Sequence, residues 1–154
     1  MHYWELFREE VIVLDLQSKA KEAVLREMVD TLVEGEVLSR KEGTKAFELL
    51  KKREQAGSTG IGSGVAIPHV KVPGTKTFHA AFGIHRGGVE YRSIDGEPVH
   101  LIFLVLRPEE DAEEHLRFLQ WIARLGRNAD FRRFALRAKD AQEVLALLKE
   151  MSAS

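Results

Sequence analysis

The sequence predicts an α/β (α+β) fold, in which a mixed β-sheet is sandwiched between helices in one domain of residues 1–154, with an ordered core of about residues 8–151. Three observations lead to this prediction. Apolar residues recur at helical spacing towards both ends, they alternate at strand spacing in the middle, and one middle run is almost continuously apolar. A chain of 154 residues with 44% apolar and 31% charged residues is typical of one globular domain.

The first half of the chain is predicted to form one strand and two helices. Val11–Leu16 ("VIVLDL") is rich in branched apolar residues, which favours a strand. Ser18 is a candidate N-cap for a helix whose apolar residues repeat at helical spacing until Gly35. A second helix is predicted over about residues 40–54, and Gly57 is a plausible end for it.

The middle of the chain has the periodicity of strands. Residues 78–85 alternate between larger apolar side chains and other residues, which predicts a strand with one buried face. "RGG" (86–88) is predicted to turn the chain, and "VEYRSI" (89–94) to form a further strand. Asp95-Gly96 is a strong hairpin signal. Residues 98–106 ("PVHLIFLVL") predict a central strand that is covered on both faces.

Three helices are predicted in the last third. Asp111 and Glu114 fit a capping box. The helix that follows has one apolar stripe at helical spacing, formed by His115, Phe118, Ile122 and Leu125. Two more helices are predicted over about residues 128–137 and 140–151, the second capped by Asp140.

Composition excludes several classes of function. The net charge of −1 favours no nucleic acid as a partner. The absence of cysteine rules out disulfides, thiolate catalysis and cysteine-based zinc sites, and no histidine spacing supports another metal site. The N-terminus lacks the pattern of a signal peptide, and the longest apolar run, Leu101–Leu106, is too short to span a bilayer. We therefore expect a cytoplasmic protein with no membrane insertion.

The segment "GSTGIGSGVAIPHV" (57–70) holds four glycines in eight residues and then presents His69 directly after Pro68. A phosphate-binding P-loop would need a lysine, and a dinucleotide fingerprint would need Gly-x-Gly-x-x-Gly, so neither fits. One interpretation that remains open is that the segment is a tight turn that enters a strand. The alternative is that the missing side chains allow a partner protein to approach His69 closely.

The histidines differ in what their positions suggest. His69 stands on a stiff stem because Pro68 restricts the backbone around it. His115 lies on the inward stripe of a helix, where a buried imidazole needs hydrogen-bond partners. His79, His85 and His100 are interpreted as solvated or packed strand residues. A serine hydrolase is discounted, since no Gly-x-Ser-x-Gly motif is present.

In combination these residues resemble a known family. "RExxGSTGIGxGxAIPH", from Arg53 to His69, is similar to the active-site signature of enzyme IIA domains of the fructose/mannitol type, in the bacterial phosphoenolpyruvate-dependent phosphotransferase system. "VLDLQSKAKEAVLREMV", "DGEPVHLIFLVLRP" and "HLRFLQWIARL" follow the family's order, so the resemblance covers nearly the whole chain.

The resemblance implies a phosphotransferase with no cofactor. It implies that His69 is phosphorylated by an HPr-like phosphocarrier and that His115 and Arg53 stabilise the phosphoryl group. Further donors are expected from a phosphate-cradling loop of Ser58, Thr59 and Gly60. Val70 departs from the family pattern, in which a smaller residue is commoner, and we expect it to form a β-branched wall beside the nucleophile.

The acceptor is expected to be either an enzyme IIB or a regulatory target protein. With no linker, cysteine or membrane segment, the chain is expected to stand alone and to resemble the nitrogen-regulatory branch of the family. A stand-alone sugar-uptake enzyme IIA of the fructose/mannitol type is the alternative. A non-catalytic regulatory binding module is an alternative of another class.

Overall fold

The longest apolar run of the chain forms the central strand of a six-stranded mixed sheet. The structure is a computed structural model, and it describes residues 2–152. The strands are β1 (Ile12–Val13), β2 (Gly60–Gly62), β3 (Val65–Ala66), β4 (His69–Lys71), β5 (His79–Val89) and β6 (Val99–Arg107). In the sheet they follow the order β1-β5-β6-β3-β2, and β4 pairs with β6 as well. The predicted fold class is confirmed.

Both edges of β6 are occupied. Strand β5 runs antiparallel to it on one edge, while β3 and β4 run parallel to successive stretches of the other edge. Between these two short strands the Pro68 carbonyl accepts a hydrogen bond of 2.9 Å from the Val105 amide. Strand β1 adds to the far side of β5 in parallel.

Alternate side chains of β6 point into two separate cores. Leu101, Phe103 and Val105 pack towards the last three helices, and Ile102, Leu104 and Leu106 pack towards the first two. Burial of each such side chain contributes roughly 1.5–3 kcal/mol to folding. The helices are α1 (Lys21–Glu34), α2 (Arg40–Ala56), α3 (Ala112–Arg127), α4 (Ala129–Arg137) and α5 (Ala141–Ser152), and two 3₁₀ turns cover Tyr3–Leu6 and Glu9–Val11.

Two predictions near the N-terminus are wrong in detail. The strand is limited to Ile12–Val13, because the chain before it forms a 3₁₀ turn and residues 14–15 form a bend. After the bend the Leu16 amide donates to the Ile84 carbonyl of β5 at 2.9 Å. Ser18 does not cap the first helix, which begins at Lys21 without a side-chain cap. The Ser18 amide donates instead to the Glu27 carboxylate at 3.0 Å, so the loop is held from inside the helix.

The predicted turn at residues 86–88 is a β-bulge. Strand β5 continues through it, and the register with β6 shifts between Ile84 and Val89. Gly88 has φ +82°, and a Cβ there would lie 2.9 Å from Cε1 of His100, so only glycine fits. The predicted strand at 89–94 is absent, because residues 90–98 form an irregular connection with its turn at Asp95-Gly96.

The predicted cap at Asp140 is confirmed, and the predicted capping box at Asp111 is wrong. Ser39 and Glu42 form a capping box on α2, and Asp140 accepts from the Glu143 amide at 2.8 Å. Asp111 is the residue before α3, but it has a left-handed φ of +64° and its side chain caps nothing. Its expected partner Glu114 accepts instead from the Tyr3 hydroxyl and from Arg117.

Candidate active site

Main-chain hydrogen bonds hold both the strand that contains His69 and the residues directly before it. Residues 69–71 pair with β6, so that His69 lies opposite Val105. Ile67, two residues before His69, is buried, and its amide donates a hydrogen bond of 3.0 Å to the Thr59 carbonyl. The stiff stem predicted from Pro68 is therefore fixed to the glycine-rich loop as well as to the central strand.

A backbone carbonyl determines which nitrogen of His69 is available. The Nδ1 atom lies 2.6 Å from the Ile67 carbonyl oxygen. Because a carbonyl can only accept, Nδ1 carries the proton in the neutral ring, and the lone pair remains on Nε2. The half-buried ring thus has one nitrogen engaged and the other in the form of a nucleophile.

The surroundings keep the His69 imidazole neutral. Burial lowers its pKa, the contact with the Ile67 carbonyl raises it, and the positive charge of Arg53 lowers it again. The smaller effects of Glu54 and Arg107 are opposite in sign. The net pKa lies below the ordinary value of about 6.5, so the lone pair is present at neutral pH.

His115 lies beside His69. The two ring centroids are 5.5 Å apart, and the Phe78 ring stacks on His115 with the centroids 6.3 Å apart. Burial and the charges of His69 and Arg107 lower the pKa of His115 to about 4. Its Nδ1 atom is buried, and no group within residues 2–152 forms a hydrogen bond with it. The ring therefore retains unused hydrogen-bonding capacity next to the nucleophile.

Two arginines bring positive charge to the pair of rings. Arg53, in the last turn of α2, donates to the Gly57 carbonyl at 2.9 Å, and its charge acts on His69. Arg107 ends β6, and its charge acts on both imidazoles. Arg107 is not among the site residues predicted from the sequence. Its position directly after the apolar run, at the end of the strand beside His69, could have indicated it.

The predicted phosphate-cradling loop is engaged with the protein itself. The Ser58 hydroxyl donates to the Tyr91 carbonyl at 2.8 Å and accepts from the Gly60 amide at 3.1 Å. The Thr59 amide donates to the Glu54 carboxylate at 3.2 Å, and the Thr59 hydroxyl also contacts that carboxylate. These four groups are thus occupied, and the buried Glu54 was not predicted as a site residue.

Val70 does not form the expected wall beside the nucleophile. It follows His69 in β4, and successive strand residues point to opposite faces of a sheet. Val70 packs against the core under α1 and α2, whereas His69 lies with His115 on the α3 side. The correction follows from the alternation of side chains along β4.

The described part of the chain has neither a metal-binding cluster nor a membrane-spanning helix. Within residues 2–152, no group of three or more His, Cys, Asp or Glu side chains could hold a metal ion. No helix in this range combines the length and the apolar character needed to cross a membrane.

Known proteins resemble this chain over nearly its full length. The sequence model of the family described as "Phosphoenolpyruvate-dependent sugar phosphotransferase system, EIIA 2" matches residues 5–151. The fructose-specific EIIABC component of Bacillus subtilis is 34% identical over 97% of this chain, which spans 23% of that protein. The nitrogen regulatory protein of Bradyrhizobium diazoefficiens is 35% identical over 94% of this chain and 92% of its own length.

Solved structures agree with these relatives. The crystal structure of nitrogen regulatory protein IIA-Ntr from Neisseria meningitidis has a TM-score of 0.81 at 34% identity, covering 94% of this chain and 97% of that one. Enzyme IIAMTL of Escherichia coli, solved in complex with phosphorylated enzyme IIBMTL, has a TM-score of 0.74 at 19% identity, covering 94% and 99%, and shows the shared fold. The chain belongs to the EIIA 2 family of the phosphoenolpyruvate-dependent sugar phosphotransferase system.

Proposed function

We propose that the chain is a phosphohistidine carrier, in which Nε2 of His69 accepts a phosphoryl group from an HPr-like protein and passes it on. One observation supports the choice of Nε2 as the nucleophilic atom. The contact of 2.6 Å between Nδ1 and the Ile67 carbonyl occupies one nitrogen and leaves the lone pair on the other. The lowered pKa supports it, since a protonated ring could not attack phosphorus.

The transfer step exchanges one P–N bond for another. The Nε2 lone pair of His69 attacks phosphorus, the bond to the donor's imidazole breaks, and its electron pair returns to the donor nitrogen. The proton on Nδ1 stays in its hydrogen bond to the Ile67 carbonyl. The phosphorylated ring then carries positive charge, which that carbonyl oxygen stabilises.

Arg53, His115 and Arg107 are proposed to stabilise the transferred group. Phosphoryl transfer depends mainly on positioning and on neutralising charge on the phosphoryl oxygens. Arg53 offers a planar set of N–H donors and a charge that acts on His69, and Arg107 adds positive charge. A phosphoryl group would supply an acceptor to the neutral His115 ring. The occupied loop of residues 58–60 is assigned a supporting role, since its carbonyl at Thr59 holds the stem of His69.

We infer a regulatory output of the nitrogen type for this carrier. The Bradyrhizobium and Neisseria relatives, both named nitrogen regulatory proteins, align with almost the whole of this chain and of their own. The fructose-specific relative at 34% identity favours the second candidate, a sugar-uptake enzyme IIA. For that candidate the acceptor would be an enzyme IIB, as in the mannitol complex.

Labelling tests the carrier function. The purified chain is incubated with enzyme I, HPr and phosphoenolpyruvate that carries a labelled phosphoryl group. We expect label on the chain that is acid-labile and base-stable, as for a phosphohistidine. An unlabelled chain that still binds a target protein would contradict the carrier function and indicate a non-catalytic binding module. Transfer of the label to an enzyme IIB would favour the sugar-uptake candidate.

A further inference from the structure

A buried carboxylate contacts the glycine-rich loop. Glu54 is in the last turn of α2, next to Arg53, and only 9% of its surface is exposed. A buried carboxylate is costly unless it is paired and hydrogen-bonded. Here Lys21 of α1 contacts it at 2.7 Å, which balances the charge.

The remaining contacts of Glu54 hold two segments that are distant in sequence. The Tyr91 hydroxyl donates to the carboxylate at 3.2 Å, and the amide of Thr59 donates to it at 3.2 Å. The Thr59 hydroxyl also contacts one of its oxygens. Burial and the charge of Glu54 raise the pKa of Tyr91 well above its ordinary value, so the phenol keeps the proton that it donates.

From Thr59 a short chain of hydrogen bonds reaches the imidazole. The Thr59 carbonyl accepts from the Ile67 amide at 3.0 Å, and the Ile67 carbonyl contacts Nδ1 of His69 at 2.6 Å. Glu54 fixes the first residue of this chain by two contacts, to its amide and to its hydroxyl. Only main-chain atoms lie between Thr59 and the ring.

We propose that Glu54 is a positioning residue: through Thr59 and Ile67 it holds the carbonyl that keeps His69 in the Nδ1–H tautomer. The partner of one ring nitrogen decides which nitrogen carries the proton. If the loop is released, the Ile67 carbonyl moves away from Nδ1, and Nε2 is a free nucleophile in a smaller share of the molecules. The effect on transfer rests on the proposed function, whereas the effect on the tautomer does not.

The tautomer can be measured without any phosphate donor. The ¹⁵N chemical shifts of the His69 ring at pH 8 report which nitrogen carries the proton. We expect the wild-type chain to have Nδ1–H, and Glu54→Ala to shift the population towards Nε2–H and to slow labelling at least tenfold. The matched control is Glu48→Ala on the same helix, an exposed carboxylate that pairs with Lys51. A folded Glu54→Ala chain with the wild-type tautomer would overturn the proposal.

A second pair of variants covers the case in which Glu54→Ala fails to fold. Thr59→Val removes the hydroxyl contact and keeps the amide and carbonyl, while Thr59→Ser restores a hydroxyl. We expect a partial shift of the tautomer in Thr59→Val and the wild-type population in Thr59→Ser. Identical spectra for both variants would contradict the proposal. If the wild-type chain takes no label, the proposed function fails, and the spectra still decide the role of Glu54.

Discussion

The molecule contains two pairs of histidines that look alike at the level of single hydrogen bonds. In the first pair, Nδ1 of His69 contacts a backbone carbonyl at 2.6 Å and His115 lies alongside. In the second pair, Nε2 of His85 contacts the Ser18 carbonyl at 2.7 Å, and Nδ1 of His100 contacts the carbonyl of His85 at 2.9 Å. In each pair the backbone restrains at least one imidazole.

The pairs differ in exposure and in neighbouring charge. His85 is only 7% exposed, while His69 is half-buried. The positive charges of Arg53 and Arg107 act on His69. Within the described chain, both His85 and His115 have a buried Nδ1 without a hydrogen-bond partner. If His69 is the phosphorylated residue, as we propose, a restrained imidazole alone is not sufficient for phosphoryl transfer. Burial separates His85 from His69, and the charges of Arg53 and Arg107 act on the first pair.

Removing the His69 imidazole should give the largest difference between the pairs. We expect His69→Ala to take no label above background, because no other nitrogen occupies its position. His100→Gln, in the second pair, should be labelled at the wild-type rate. Both are measured by labelling from phosphorylated HPr. Label retained by His69→Ala would place the acceptor on a different residue.

Removing the guanidinium that acts on the first pair should give the next largest effect. Arg53→Ala is expected to slow transfer by about 10²-fold, since the loss of one preorganised donor has typically that effect. Lys52→Ala removes a neighbouring exposed charge on the same helix and serves as the control. If both variants are slowed equally, net charge and not donor geometry determines the rate. If both transfer at the wild-type rate, Arg53 has no role in transfer.

The second ring of the first pair should contribute less. His115 is neutral at pH 7 because its pKa is about 4, so it offers a hydrogen bond without full charge. Loss of a bond worth about 1.4 kcal/mol corresponds to a rate about tenfold lower in His115→Ala. Single-turnover labelling measures the rate. A variant as fast as wild type would remove His115 from the site.

In the second pair, we expect substitution to affect stability and not transfer. His85→Ala leaves the Ser18 carbonyl without its partner and opens a cavity, so the free energy of unfolding should fall by about 1–3 kcal/mol. Urea denaturation measures this loss. The labelling rate of the folded protein should stay within about twofold of wild type, as a side chain outside the site requires. Slower labelling at full stability would show that the two pairs are coupled.

The smallest effect is the dependence of stability on pH. The pKa of His115 is about 4 in the folded chain and about 6.5 when unfolded, so the unfolded chain binds more protons between these values. The free energy of unfolding should therefore fall as the pH drops from about 6.5 to about 4. His115→Gln should lose less free energy of unfolding than the wild-type chain over this range. The difference should be small, because the His115 ring is partly exposed to solvent. Urea titrations at pH 7 and pH 5 measure the loss. If the wild-type chain and His115→Gln lose the same free energy of unfolding between these pH values, the prediction is wrong.

The elements that were predicted correctly rest on local patterns. The apolar run 98–106 needs cover on both faces wherever it lies, and Asp140 caps the helix that directly follows it. The order of residues around Arg53 and His69 resembled a known signature. The structure brings His69 and His115 together, with ring centroids 5.5 Å apart, as that signature implied.

The features that were missed depend on contacts between distant segments. Tyr91 reaches Glu54 across 37 residues, from a segment whose pattern predicted a strand. Gly87-Gly88 suits a turn and a bulge equally well, and only the partner strand decides between them. Likewise, the Ser18 amide donates to the Glu27 carboxylate of α1, and a local pattern does not predict this contact between a loop and the interior of the helix.

The contact between Ile67 and His69 has a consequence for how this family diverges. A contact made by main-chain atoms is not encoded by any one residue type, so many substitutions in the glycine-rich segment could leave it intact. The number of residues between Thr59 and His69 is a stricter constraint, because one insertion displaces an extended chain by about 3.3 Å. Over evolutionary time, the number of residues in this segment should be preserved longer than their types.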